Sequence, residues 1–292
     1  MVNYNPKDWF TFIFRVHKAD TVQKLWRLMV CLAVYAAVVA YFELEYWKLS
    51  GTKNGLSNIS MMHGLLGFVI SLLLVFRTNT AYDRWWEGRK LWGSLVNDSR
   101  NLALKIQAIL PPGVAIRDYF RIMIPNYAYA LKNHLRNNQS IEELQHTHNF
   151  DPATLKIDQH IPNQIAGHML QEVQALYRQG LISGDQLITI NQELSTFTNV
   201  CGACERIRNT PIPFSYSAFI KKFIFFYVMT LPFGYVFSVG YFIIPMSVFI
   251  FYVLASLELI AEEIEDPFGK DANDLPLDTM SANIRKHVAE IL

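Results

Sequence analysis

Residues 65–89 read LLGFVISLLLVFRTNTAYDRWWEGR, and the chain changes solvent within them: the uncharged run ends at Arg77 and a polar segment rich in Arg and Trp begins. Such a stretch predicts a helix leaving a membrane. Phe68, Leu72 and Phe76 recur every four residues, so on a helix they form one bulky apolar stripe. Gly64, Gly67 and Ser71 offer small surfaces beside it where other helices can approach closely. The stripe has two readings: helix packing, or, where several copies surround an axis, a hydrophobic constriction that gates ions by dewetting.

Composition agrees with a chain of mixed solvent. Of 292 residues, 51% are hydrophobic and 14% aromatic, and the mean hydropathy is +0.15. That is too apolar for an average soluble domain and too polar for a bare membrane bundle. Lys and Arg total 26 against 25 Asp and Glu, a net charge of +1, so no global field points to nucleic acid or to an acidic substrate. Three cysteines, Cys31, Cys201 and Cys204, are too few and too odd for a disulfide scaffold and fit a reducing interior. The first 20 residues mix charges with aromatics and do not resemble a signal peptide. They suit a segment lying on a membrane surface or on a neighbouring subunit, or a helix packed on its own domain.

Leu28 to Phe42 carries no charge and is flanked by Arg27 and by Glu43, Glu45, Tyr46 and Trp47, which marks a first span. A loop rich in Gly, Ser and Asn, Gly51 to Ser60, leads into the second run, which reaches Phe76 and has roughly the 20 residues a bilayer requires. Basic residues precede the first span (Lys18, Lys24, Arg27) and follow the second (Arg77, Arg84, Arg89, Lys90), so the positive-inside rule puts both ends in the cytosol. Phe223 to Leu257 is again uncharged, with Pro232, Gly234, Gly240 and Pro245 interrupting it, as two spans joined by a tight outer turn would be. Between them lies a polar region with helical spacing in Leu91, Leu95, Leu102, Ile106 and Ile109, and in Phe120, Ile124, Tyr127 and Leu131. Breaks are expected at Pro111-Pro112-Gly113, from Asn137 to Gln159, and at Thr210-Pro211-Ile212-Pro213, with almost no sheet.

The expectation is an all-α, polytopic membrane protein with four spans. It divides into a cytosolic or interfacial segment (1–25), a hairpin with the stripe on its second helix (26–77), a cytosolic helical domain (78–222), a second hairpin (223–258) and an acidic cytosolic tail (259–292). Both termini lie in the cytosol.

Candidate chemistry outside the stripe is thin. Cys201-Gly-Ala-Cys204 has redox or metal spacing but lacks a preceding strand and a second ligand pair. His146 and His148, with His160 and His168, could hold a metal, yet they fall in polar, loop-like sequence where scattered surface histidines are usual. Dinucleotide, P-loop, hydrolase and zincin signatures are all missing, so nothing supports an enzyme. The acidic tract from Glu262 to Asp278 offers oxygen ligands without the EF-hand pattern, and a solvated, helix-capping tail is its alternative.

Leu65-Leu66-Gly67, Phe76-Arg77-Thr78-Asn79, Tyr82, Arg84, Glu87, Arg89 and Leu91-Trp92-Gly93, with Cys204-Glu205-Arg206, Thr210-Pro211-Ile212-Pro213-Phe214, Glu262-Glu263-Ile264-Glu265-Asp266-Pro267-Phe268-Gly269 and Asn273-Asp274-Leu275-Pro276-Leu277, together resemble the bestrophin family. The bacterial homologues are the most similar. The resemblance implies a homopentamer around one pore that conducts small monovalent ions passively across the inner membrane, and its partners are further copies of itself and membrane lipid. Its neck would be Phe68, Leu72 and Phe76. Counting back from Cys204 puts a second, cytosolic constriction at Asp185, where the family has an apolar residue; a slipped alignment would bring Leu187 or Ile188 there instead. A ring of Asp185 carboxylates would favour sodium or potassium; a chloride channel and a non-conducting scaffold are the alternatives. The family's calcium clasp corresponds to Lys270 through Asp274, where only Asp271 and Asp274 keep carboxylates. Lys270 and Ala272 remove ligand charge on which calcium affinity depends, so a constitutive or voltage-independent leak is expected; calcium at Asp271 and Asp274 is the alternative, and no other cofactor is implied.

Overall fold

The computed structural model describes residues 21–46 and 59–292. The N-terminal aromatic segment and most of the Gly51 to Ser60 loop fall outside them. Eight α-helices of 15 residues or more occur among the described residues: α1 (Thr21–Tyr41), α2 (Ile59–Ile109), α3 (Ala115–Leu135), α4 (Ile161–Arg178), α5 (Gly184–Asn209), α6 (Phe214–Val239), α7 (Ile243–Glu265) and α8 (Leu277–Ile291). No strand occurs among those residues, only one bridge between Thr147 and Phe150. All three expected breaks in the polar region fall between helices.

The solvent change at Arg77 lies inside one helix. α2 runs 51 residues without interruption, about 75 Å at 1.5 Å per residue. Its first half packs against α6 and α7, which in turn carry α1, around Leu32, Ile70, Leu74, Ile220, Ile224 and Leu254. His63 reaches Thr230 at 2.9 Å and Tyr216 donates to the Leu73 carbonyl, so numbering rises on α2 as it falls on α6 and the two are antiparallel. Arg77 meets Glu258 and Arg84 meets the Glu265 carbonyl, so α2 and α7 run parallel. α6 and α7 are therefore antiparallel.

The turn of that hairpin sits at Gly240, whose φ of 59° is a left-handed conformation that glycine adopts without a side-chain clash. Pro232, expected to help break the run, lies inside α6 instead. Membrane-type helices tolerate an interior proline when neighbouring groups satisfy the freed backbone, and Tyr35 of α1 donates to the Met229 carbonyl at 2.9 Å close by.

The second half of α2 enters a core with α3, α4, α5 and α8. Leu95, Leu102 and Ile106, then Phe120, Ile124, Tyr127 and Leu131, are all fully buried, as their spacing predicts. Tyr127 buries its ring against Phe197 and donates its hydroxyl to the Phe197 carbonyl at 2.8 Å. One helix thus belongs to both halves of the molecule.

Candidate ion pathway and its anchors

Phe68, Leu72 and Phe76 line the outer face of α2, turned away from their own subunit, with exposures of 67%, 46% and 56%. Ile70 and Leu74, between them in sequence, are buried in the bundle. Helical periodicity thus separates an outward apolar stripe from an inward one. Gly67 sits behind the stripe, where an added Cβ would meet the Tyr227 hydroxyl at 2.8 Å. It allows α6 to approach; Gly64 has open space around it.

Below the stripe, the root of α2 is fastened by charge. Arg77 is buried beside two carboxylates, its Nη2 2.8 Å from Glu265 Oε2 and its Nε 3.4 Å from Glu258. The other Glu265 oxygen accepts from Ile212 N–H at 2.7 Å. Arg84 donates to the carbonyls of Glu265, Ile207 and Thr210. Trp85 donates to the Asn273 carbonyl at 3.0 Å, and Glu87 pairs with Arg206. These residues, scattered over almost 200 positions of sequence, meet at the point where α2 leaves the bundle. Their contacts are within one subunit.

The candidates for a second constriction open α5. Ser183 caps this helix in a reciprocal box with Gln186, which fixes the first turn. Asp185 and Ile188 are exposed one turn apart on a common face, Ile188 at 69%, whereas Leu187 leans on the core. Asp185 also lies where the helix dipole favours a carboxylate.

The acidic tail folds back on α2. Phe268 is fully buried against Gly88, and Arg136 holds the carbonyls of Phe268 and Gly269. Asp271 is exposed. Asp274 is buried and accepts from Asp271 N–H at 2.6 Å. Burial pushes its carboxyl up to about 6.

Cys201 and Cys204 are both buried and free. Burial pushes the Cys201 thiol up to about 12, the opposite of what a reactive thiolate requires. The histidines group otherwise than sequence proximity suggests. His160 stands with His134 and Glu205, whose donor atoms lie within 4.8 Å of one another. His148 packs on Tyr119 and His168 on Phe150. Burial lowers the His134 pKa despite its bond to Glu205. On Glu205, burial raises the carboxyl but the two imidazole bonds outweigh it and leave it below its usual range. His134 and Glu205 are 71 residues apart, so no local spacing could have revealed this cluster.

A family model for bacterial and fungal bestrophin proteins matches residues 1–290. The chain belongs to the bestrophin family. Among its relatives, the voltage-dependent anion channel-forming protein of Nostoc sp. is 33% identical over 98% of this chain and 92% of its own. The protein of the same description from Escherichia coli K12 is 33% identical over 96% and 90%. A crystal structure of a bacterial bestrophin homologue from Klebsiella pneumoniae, a point variant, superposes with a TM-score of 0.81 at 26% identity, covering 92% of this chain and 98% of that one. This bestrophin is thus a member of a channel-forming membrane family. The cation preference expected from Asp185 finds no support in the relatives' descriptions, which point to anions.

Proposed function

We propose that this bestrophin is the subunit of a homopentameric channel that passes small monovalent ions down their gradients through a neck of Phe68, Leu72 and Phe76. The observation that carries the proposal is the exposure of three bulky apolar side chains on the uncharged half of α2, backed by a buried stripe and a fastened root. Rings of such residues form a constriction that ions cross by shedding part of their hydration. Four spans, α1, the first half of α2, α6 and α7, would sit in the inner membrane with both termini cytosolic. The exposed apolar faces of α1, α6 and α7 would meet lipid or neighbouring subunits.

Anion permeation is the preferred selectivity. Relatives sharing a third of their residues over almost the whole length carry that description, and the neck residues bear no charge of either sign. Cation preference is the second reading, carried by the exposed Asp185. We assign no calcium requirement, because between Lys270 and Asp274 only Asp271 and Asp274 carry carboxylates.

Recording in planar bilayers under asymmetric NaCl decides between the two: a reversal potential on the chloride side is expected, and one on the sodium side establishes the cation reading. Phe68→Ala, Leu72→Ala and Phe76→Ala are each expected to raise flux. Unchanged flux in all three would place the neck elsewhere.

A further inference from the structure

The cluster of His134, His160 and Glu205 includes none of the residues proposed for the neck or the second constriction. His134 ends α3, His160 caps the start of α4 and Glu205 lies late in α5, so three elements converge there. Both Nε2 atoms point at the same oxygen: Glu205 Oε1 is 2.6 Å from His134 and 2.8 Å from His160. The rings are 4.3 Å apart, centre to centre.

We propose that this triad is a binding site for a first-row divalent transition metal, with Zn²⁺ the fitting ion. Two imidazole nitrogens and one carboxylate are a recognised zinc ligand set that leaves a fourth position for water, and imidazole donors favour zinc over calcium or magnesium. Access exists: a cleft of about 290 Å³ opens on His134 and His160 and is lined also by Asn137, Asp158 and Arg208. The supporting residues are packed, since Leu131, Ile161, Cys201 and Cys204 beside the ligands are buried. Cys201 Sγ stands 4.0 Å from His160 Nε2.

Without metal, the two ring protons occupy the point the ion would take. His160 Nδ1 accepts from Asn163 N–H at 3.1 Å, which places its proton on Nε2. A metal at Nε2 would require that proton on Nδ1, where it would face Asn163 N–H donor to donor, so the His160 ring would turn away from Asn163 and the helix would lose this cap. The three donor atoms must also spread by a few tenths of an ångström, since ligand bonds of about 2.0–2.2 Å separate tetrahedral donors further than a hydrogen bond does. Binding would staple α3, α4 and α5 together, and it is independent of whether the channel conducts.

The test uses full-length, tag-free protein in detergent, stripped with EDTA and titrated calorimetrically with Zn²⁺. One ion per subunit is expected. His134→Ala and Glu205→Gln should weaken binding by roughly 100-fold, whereas His168→Ala should leave it unchanged. Zn²⁺ should raise the thermal midpoint of the parent and not of those two variants, and should speed amide exchange at Asn163. Co²⁺ added to the parent guards against a misfolded variant: visible bands of a four- or five-coordinate ion, without a thiolate charge-transfer band, are expected. A spectrum of hydrated Co²⁺, or Zn²⁺ affinity equal in the parent and His134→Ala, would overturn the site.

Discussion

At the scale of single residues, the root of α2 rests on a buried charge. Arg77 is 1% exposed, with Glu258 at 3% and Glu265 at 14%. Removing one partner of a buried ion pair costs about 3–5 kcal/mol, because an uncompensated charge stays behind. Arg77→Ala should therefore lower the thermal midpoint of the detergent-solubilised protein sharply, or abolish its expression. Arg77→Met combined with Glu258→Met and Glu265→Gln should recover much of that loss, since uncharged groups of similar volume can replace a buried ion cluster at little cost and the Gln oxygen still accepts from Ile212 N–H. A triple variant no better than the single would show that the charges themselves hold the root. Gly88 is the steric counterpart. A Cβ there would sit 3.1 Å from Phe268 Cε1 and 3.2 Å from Pro267 Cγ, and Phe268 is fully buried. Gly88→Ala should destabilise by about 1–3 kcal/mol through overpacking, readable as a lower midpoint in the same measurement.

At the scale of elements, the tail between α7 and α8 carries a buried carboxyl whose charge depends on pH. The folded Asp274 carboxyl sits at about 6 against an ordinary 3.8, from burial first. The folded loop thus keeps a proton that the unfolded chain has released. The stabilisation is complete below about 3.8 and disappears as pH rises through about 6. At neutral pH the ionised side chain then costs about 3 kcal/mol relative to its protonated form. Asp274→Asn keeps an oxygen for Asp271 N–H and removes the charge. In EDTA it should raise the midpoint at pH 7 and flatten the fall in stability between pH 4 and 6; a lower midpoint at pH 7 would mean that a cation or an unrecognised partner compensates the charge. This tail also shows what sequence can convey. Core positions on α2 and α3 were legible because local periodicity records which face is buried. The continuity of α2 was not, since Arg77 reads as a boundary when its partners Glu258 and Glu265 lie more than 180 positions away. Pro232 read as a break because nothing local shows the neighbouring helix packed there. His134 carries no local signal for the same reason, its partner Glu205 lying on another helix.

At the scale of the whole molecule, one chain leaves much apolar surface uncovered: Phe68, Leu72 and Phe76 on α2, Phe225 and Phe226 on α6, and Phe249 on α7. Soluble monomers rarely expose so much, and lipid explains only those faces that point outward from an assembly. The stripe on α2 is different if it faces an axis, because water and ions then reach it although it lies at membrane depth. Cysteine accessibility separates these cases. In a Cys31→Ala background, with Cys201 and Cys204 buried, Leu72→Cys should react with a small, charged thiosulfonate reagent added from the aqueous side. The modification should change conductance, since several copies of a charged adduct would then sit in the neck. Leu74→Cys, two residues on and 1% exposed, should stay unmodified. Phe249→Cys, exposed on α7, should stay unmodified by the charged reagent if α7 faces lipid. Reaction at Phe249→Cys but not at Leu72→Cys would reverse the assignment of inside and outside, and with it the choice of α2 as the helix that lines the pore.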